Sequence, residues 1–150
     1  MKYVLIALLI APLTVTASNL EKWTMIDNSI PVLRNSDPNT PVEIMLGNEN
    51  REVVAIIDKR GPGIPETICY NDGEARGVHP IGFYVINDKK VKMLGYCVSG
   101  DGIIIPETKE GKDYIHGLVW SGVPVTIDML NGTKLSYPAS DIEDLKSKIK

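Results

Sequence analysis

The sequence is poor in the residues that build metal sites and nucleic acid interfaces. It contains two His and two Cys among 150 residues, and 16 Lys and Arg stand against 19 Asp and Glu, for a net charge of −3. Nucleic acid binding needs a basic stripe that replaces condensed counterions. The only basic cluster, Lys146, Lys148 and Lys150, falls in an expected last helical turn, where cations complement the helix dipole. The composition therefore argues against a nucleic acid partner.

No motif for catalysis or for a bound cofactor is present. His79 and His116 are far apart in the chain, whereas zinc sites usually show paired Cys or His at short spacing. The run 98–102 lacks the first glycine of a serine nucleophile elbow, and a turn between strands explains it better. The remaining route to a hydrolase is a pair of converging carboxylates, drawn from Glu66, Glu74, Asp101 and Glu107. We predict no catalytic residue, no metal ligand and no cofactor.

Residues 1–17 have the pattern of an export signal. Lys2 supplies the positive start, residues 3–13 are apolar, and Ala17 is a small residue before the expected cleavage site. A membrane anchor is the alternative, but a spanning helix needs about 20 consecutive apolar residues. We therefore expect the mature chain to be periplasmic or secreted, with no stable membrane insertion after cleavage.

The two cysteines, Cys69 and Cys97, are predicted to form one disulfide, because an exported chain matures where disulfides form and persist. Closing a loop of about 28 residues would stabilise the fold by roughly 3 to 4 kcal/mol. The alternative is a nucleophilic Cys97 with His79 or His116 as its base. That arrangement would leave Cys69 as an unpaired exported thiol, so the disulfide is the better interpretation.

The chain divides into three parts: the signal at 1–17, an irregular lead-in segment at 18–41, and a single β-rich domain at 42–150. Prolines break any period in the lead-in, and residues 31–33 within it form either a short edge strand or a docked stretch. Alternation of apolar and polar residues then predicts a first hairpin from strands 42–46 and 53–57. A second hairpin joins 81–86 to 91–98, and its loop has three or four residues, because both registers bury apolar pairs.

A third hairpin surrounds Asn131-Gly132, a dipeptide typical of two-residue turns. Such a turn would place Met129 opposite Lys134 on one face of the sheet, which mismatches their polarity. A three-residue loop at 130–132, with a left-handed glycine, instead pairs Asp128 with Lys134. We predict this bulged register.

Two helices are expected. The stretch 109–120 favours a short helix, although its glycine and β-branched residues weaken the pattern. Residues 140–143 form a capping box that starts at Ser140 and opens a terminal amphipathic helix of about nine residues. The predicted fold is therefore mainly β, a small antiparallel barrel or sandwich built from hairpins, with a short C-terminal helix and one disulfide.

Binding residues are expected on long loops, since recognition usually lies on loops held by a rigid sheet. The loops 59–66 and 99–107 are predicted to form the contact surface, and residues 102–105 within the second are expected to be a strand. Aromatic and arginine side chains dominate interface energies when exposed, although core packing is the commoner role for each aromatic in so small a protein. The possible contact residues are Arg76, Tyr84, Tyr96 and Trp120.

The C-terminal part of the chain resembles small exported proteins of bacteria and their phages. The resemblance rests on Gly95-Tyr96-Cys97, on Asn131-Gly132 and on residues 137–140, and it runs from Gly95 onward. The stretch 109–120 departs from the shorter spacing of those proteins. The resemblance implies no activity.

The expected function is that of an exported, non-enzymatic binding or accessory protein of the cell envelope, for instance an inhibitor of an extracytoplasmic enzyme. Its partner would be another exported or envelope protein. The first alternative is a subunit of a secreted or surface oligomer, of the toxin-binding or appendage type, which predicts a free edge strand or a large apolar patch. The second is a small periplasmic hydrolase, which predicts a polar cleft with converging titratable groups.

Overall fold

A computed structural model describes residues 20–47, 51–70 and 73–149 of the chain. The predicted export signal at 1–17 lies outside the described residues. Among the helices that are described, none has the length and apolar content needed to cross a bilayer.

The fold is one antiparallel sheet of nine strands in the order β1-β2-β3-β4-β7-β6-β5-β8-β9. This confirms the mainly β antiparallel class. The strands are β1 (Thr24–Ile26), β2 (Ile30–Arg34), β3 (Val42–Gly47), β4 (Val53–Asp58), β5 (His79–Ile86), β6 (Lys89–Val98), β7 (Asp101–Pro106), β8 (Val125–Asp128) and β9 (Lys134–Tyr137).

The sheet is curled and open. Its last strand approaches the chain that follows β2, where the Ser36 amide donates to the Ser136 carbonyl at 2.7 Å. The Tyr137 hydroxyl donates to the Val42 carbonyl at 3.1 Å across the same gap. No strand ladder joins β9 to β2 or β3 in the described chain, so the sheet is not closed into a barrel.

The segment 18–41, expected to be an irregular lead-in, contributes two strands. β2 pairs with β3 only through Val32–Arg34, so Pro31 stands where no amide donor to β3 is needed. The turn from β1 to β2 uses Asp27 and Asn28 at φ of 50° and 55°, a conformation that Asp and Asn tolerate. Pro31 therefore stands just before the pairing with β3, and on the other side of the strand it lies within the ladder to β1, opposite Met25.

The first predicted hairpin is confirmed as β3 and β4. The second has neither of the predicted registers, because its loop contains only Asn87 and Asp88. Both residues are left-handed, with φ of 41° and 66°. Such a turn matches the twist of the flanking strands, and it pairs Tyr84 with Val91.

The third hairpin has the predicted bulged register. Asp128 pairs with Lys134, and the Met129 amide donates to the Thr133 carbonyl at 3.0 Å, which leaves 130–132 as the loop. Gly132 has the expected left-handed backbone at φ 95°.

Both predicted helices are present. Helix α1 (Lys109–Ser121) follows Thr108, whose side chain accepts from the Gly111 amide at 3.1 Å. Helix α2 (Ile142–Lys148) is shorter than expected. Its N-cap is Asp141, one residue after the predicted cap Ser140. Ser140 is instead engaged in a bridge with Glu21.

The core lies on the inner, concave face of the sheet and is covered by both helices. Helix α1 contributes Ile115 and Val119, and α2 contributes Leu145. The largest fully buried side chains are Trp23, Tyr137, Ile44, Leu46, Ile56, Ile86, Met93, Ile104, Leu145, Val32, Val42 and Val125.

Candidate functional site

Three connections meet at one end of the sheet: the segment 59–70 after β4, the turn Ser99-Gly100 between β6 and β7, and the hairpin tip 130–132. The Asn131 side-chain amide donates to the Glu66 carbonyl at 2.8 Å. A Cβ atom on Gly100 would lie 3.6 Å from Cδ of Pro62. The three connections therefore form one continuous surface, which we call the loop end.

Of the two predicted contact loops, the first is an irregular loop and most of the second is a strand. Residues 62–66 are exposed and irregular. The segment 99–107 is not a loop, because Asp101–Pro106 is strand β7, which pairs with both β4 and β6. Three consecutive isoleucines, 103–105, suit a strand in the middle of a sheet. Only the turn Ser99-Gly100 reaches the loop end.

A buried ion pair anchors the first part of the loop end. The Asp58 side chain is 1% exposed, and Arg60 donates to it from Nη2 at 2.7 Å and from Nε at 2.9 Å. These hydrogen bonds raise the pKa of Arg60. Nη1 of Arg60 also donates to Thr133 Oγ1 at 3.0 Å. One guanidinium therefore ties the end of β4 to the third hairpin.

Two tyrosines lie near this pair on the inner face of the sheet. Burial raises the pKa of Tyr84, and the negative charge of Asp58 raises it further. Burial likewise raises the pKa of Tyr137, whose hydroxyl donates to the Val42 carbonyl. Both phenols are therefore held neutral and are not activated as nucleophiles.

The disulfide between Cys69 and Cys97 is confirmed, and it joins the segment 59–70 to β6. The sequence at 67–70 would suit a short strand that carries Cys69, but these residues form a bend followed by turns. The Thr67 hydroxyl lies 2.9 Å from the Ile64 carbonyl and 3.0 Å from the Gly61 carbonyl. Side-chain hydrogen bonding thus replaces the strand ladder in holding this stretch. A disulfide is compatible with a location outside the cytoplasm.

Ile68 is wedged against two strand glycines on the inner face. A Cβ atom on Gly102 would lie 2.8 Å from Ile68 Cγ1, and one on Gly95 would lie 3.1 Å from Ile68 Cδ1. The first distance is shorter than real Cβ atoms show and the second is tighter than most of their contacts, so glycine at both positions leaves room for the isoleucine. Through Ile68, the segment 59–70 therefore packs directly against the inner face of β6 and β7.

Three aliphatic side chains are exposed at the loop end. Ile64 is 39% exposed, Leu130 is 59% exposed, and Val98, the last residue of β6 before the turn Ser99-Gly100, is 49% exposed. Leu130 also has a left-handed backbone at φ 60°, a conformation that is uncommon for a bulky residue. Because they lie on or beside three connections that meet, these side chains make the loop end a candidate contact surface.

The predicted contact residues do not gather at one place. Arg76 is exposed in a 3₁₀ turn, whereas Tyr84 is 4% exposed and belongs to the core. Tyr96 is half-buried on the outer face of β6, and Trp120 is half-buried on α1 with its ring centroid 5.8 Å from that of His116. The sequence reasoning missed Ile64, Val98 and Leu130. Ile64 nevertheless lies in the predicted contact loop 59–66, and Leu130 is an apolar residue in the predicted loop 130–132, so two signals in the sequence pointed to this surface.

The histidines are separated in space as well as in sequence. Nδ1 of His79 lies 2.9 Å from the Gly77 carbonyl, and His116 contacts Trp120. Within the described ranges, no three His, Cys, Asp or Glu side chains are grouped so as to hold a metal ion.

A polar cleft of about 510 Å³ lies at the gap between β9 and the β2–β3 connection. Its Glu43 accepts from Lys59 at 2.6 Å and lies 3.5 Å from Arg34. The Thr40 hydroxyl and the Asn39 amide lower the pKa of Asp37, because they donate hydrogen bonds to its ionised form. Asp37 therefore stays ionised and is not a candidate general acid.

The carboxylates considered for a hydrolase do not all converge. Asp101 begins β7 and Glu107 follows its last residue, so their backbones are separated by about 20 Å at 3.3 Å per residue. Glu107 contacts Lys92 at 3.9 Å. This pair cannot flank one bond of a substrate.

No family model matches the chain, and no curated protein or solved structure is significantly similar to it.

Proposed function

We propose that this protein is an exported, non-enzymatic binding protein of the cell envelope and that its loop end contacts another exported protein. The observation that carries the proposal is the exposure of Ile64, Val98 and Leu130 on three connections that the structure holds together. A few residues supply most of the affinity at a protein interface, so a small set of exposed side chains is enough to form one.

The contacts that hold the segment 59–70 in place favour binding to a specific partner protein. The Asp58–Arg60 pair, the disulfide and the Ile68 wedge restrain the segment 59–70 from three directions. A loop ordered before binding loses less conformational entropy on association. Pro62 and Pro65 restrict the exposed part further. Inhibition of an extracytoplasmic enzyme is the form of binding that such a rigid, protruding loop suits best.

The test is capture of a partner from the periplasm or medium of the native host. The variant I64S/V98S/L130N removes the three aliphatic groups, and asparagine at 130 tolerates the left-handed backbone. The matched control V53S/F83S/V123S removes three exposed apolar groups elsewhere. We expect the first variant to lose the partner and the control to keep it. Capture of the same proteins by both variants would contradict the proposal.

The outer face of the central strands favours a second function, that of a subunit in an oligomer. Residues that pair across strands share a face, and the half-buried Tyr96 pairs with the half-buried Ile103 there. Leu94 pairs with Ile105 on the same face. An antiparallel sheet normally turns a polar face to water, so this apolar stripe suits a second copy of the chain. Sedimentation of the mature protein, with I103K as the variant, tests this function: a stable monomer would contradict it.

A further inference from the structure

Asn131 and Gly132 form the only Asn-Gly dipeptide in the sequence. Both residues are exposed at the hairpin tip. Gly132 has φ 95°, and a Cβ atom added to it would meet nothing within 4 Å. In the described part of the chain, the Gly132 amide donates to no acceptor.

These features favour attack by the Gly132 backbone nitrogen on the Asn131 side chain. A glycine imposes no side-chain barrier on the approach of its nitrogen to Cγ of the preceding residue. An amide without an acceptor also gives up its proton more readily than one engaged in a strand ladder. Every other asparagine in the chain precedes a residue with a side chain that hinders the same approach.

We propose that Asn131-Gly132 is a site of spontaneous self-modification. The Gly132 nitrogen forms a bond to Cγ of Asn131 and loses its proton, while the bond from Cγ to Nδ2 breaks and ammonia leaves. The product is a five-membered succinimide. Water then opens this ring at either carbonyl, which produces aspartate or isoaspartate at position 131.

The group that leaves is one that holds the loop end together. Nδ2 of Asn131 donates to the Glu66 carbonyl at 2.8 Å. After hydrolysis a carboxylate oxygen faces that carbonyl, and two acceptors repel each other. The remaining side-chain link between the hairpin and the segment 59–70 is the one from Arg60 to Thr133. The modification therefore loosens 59–70 from the hairpin tip.

Peptide mapping by mass spectrometry tests the chemistry. The mature chain is incubated at mildly alkaline pH, and aspartate and isoaspartate are measured at every asparagine. Asn87 is the matched internal control, because it lies in a hairpin turn but precedes Asp88. Since glycine removes the steric barrier, we expect conversion at Asn131 to be at least about tenfold faster than at Asn87. Equal rates would overturn the proposal.

Hydrogen exchange tests the structural consequence separately. The variant N131D imitates one product, and N131S removes the reactive side chain without adding charge. We expect amides in 61–68 to exchange faster in N131D than in the unmodified chain, with α1 unchanged. Unchanged exchange in 61–68 would overturn the proposed loosening. Any effect on partner capture rests on the proposed function, whereas the mass and exchange measurements do not.

Discussion

Different elements cover the two ends of the open sheet: a helix at one end and irregular connections at the other. At the end opposite the loop end, α1 packs Gly111 against Val91 and Pro106, and its Tyr114 hydroxyl donates to the Ile86 carbonyl at 2.9 Å. Because a helix satisfies most of its backbone hydrogen bonds internally, packing and one tyrosine hydrogen bond are enough to hold it against the sheet. The loop end has no such regular element. It is held by a buried ion pair, a disulfide and an isoleucine wedge.

The difference shows what an irregular closure requires. The segment 59–70 makes no strand ladder, so its order depends on a few specific anchors from distant parts of the chain. Because those anchors face inward, its outward side chains are free to contact a partner. A helix that covers an end of the sheet must keep one apolar face toward the core. Fewer of its side chains are therefore free to contact a partner.

The largest expected effect is that of R60M, which removes the ionic anchor. The substitution leaves Asp58 buried and unpaired, so we expect the free energy of unfolding to fall by about 3 to 5 kcal/mol. Arg34 provides a control, because its side chain is 68% exposed in its pair with Glu43. R34M should cost less than about 1 kcal/mol. Urea titration measures both, and equal costs would remove the distinction between the two pairs.

Removing the covalent anchor comes next. The double variant C69A/C97A should lose about 2 to 5 kcal/mol of stability. Hydrogen exchange should accelerate first in 61–70, while α1 keeps its protection until global unfolding. Simultaneous acceleration in α1 would show that the two ends are not independent.

The third prediction concerns the wedge. G102A should destabilise the protein by about 1 to 3 kcal/mol, because its Cβ would overlap Ile68. The penalty should shrink when Ile68 is already alanine, as a double-mutant cycle would measure. Gly117 on α1 has open space around it, so G117A should stabilise the helix end by about 0.5 to 1 kcal/mol. A full penalty for G102A without Ile68 would refute the wedge.

Alkaline pH should lower the free energy of unfolding through the two buried phenols, Tyr84 and Tyr137. Burial raises the pKa of both phenols in the folded chain, so the unfolded chain loses these protons first, near pH 10. Their contribution is complete below about pH 10 and falls above it, by up to about 1.4 kcal/mol per pH unit for each tyrosine. Denaturant titration of Y84F should show a shallower fall. An unchanged slope would contradict the assignment.

The smallest expected effect belongs to the helix end. T108A removes the side chain that accepts from the Gly111 amide, and loss of an N-cap costs about 1 kcal/mol. Thermal unfolding should show this modest loss with no change in exchange at 61–70. A cost comparable to that of R60M would mean that the helix end also depends on a single anchor.

Short-range patterns determined most of the regular structure. The register of β8 and β9 could be predicted because Asp128 and Lys134 oppose each other only in the bulged loop. The register of β5 and β6 could not, because several pairings bury apolar residues and the left-handed turn at Asn87-Asp88 decides among them. Of the two strands before residue 41, the sequence indicated part of β2, at 31–33, as one of two alternatives. Strand β1 was missed because its three residues are too few to show an alternating pattern.

The sequence by itself determined the antiparallel class, both helices and the partners of the disulfide, because periodicity, turn residues and cysteine count act over short stretches or need only two residues. The tertiary structure decided the curled, open sheet and the loop end. Arg60 meets Thr133, Asn131 meets Glu66 and Ile68 meets Gly102. These residues share no local pattern, and each contact exists only because curvature of the sheet brings distant connections together.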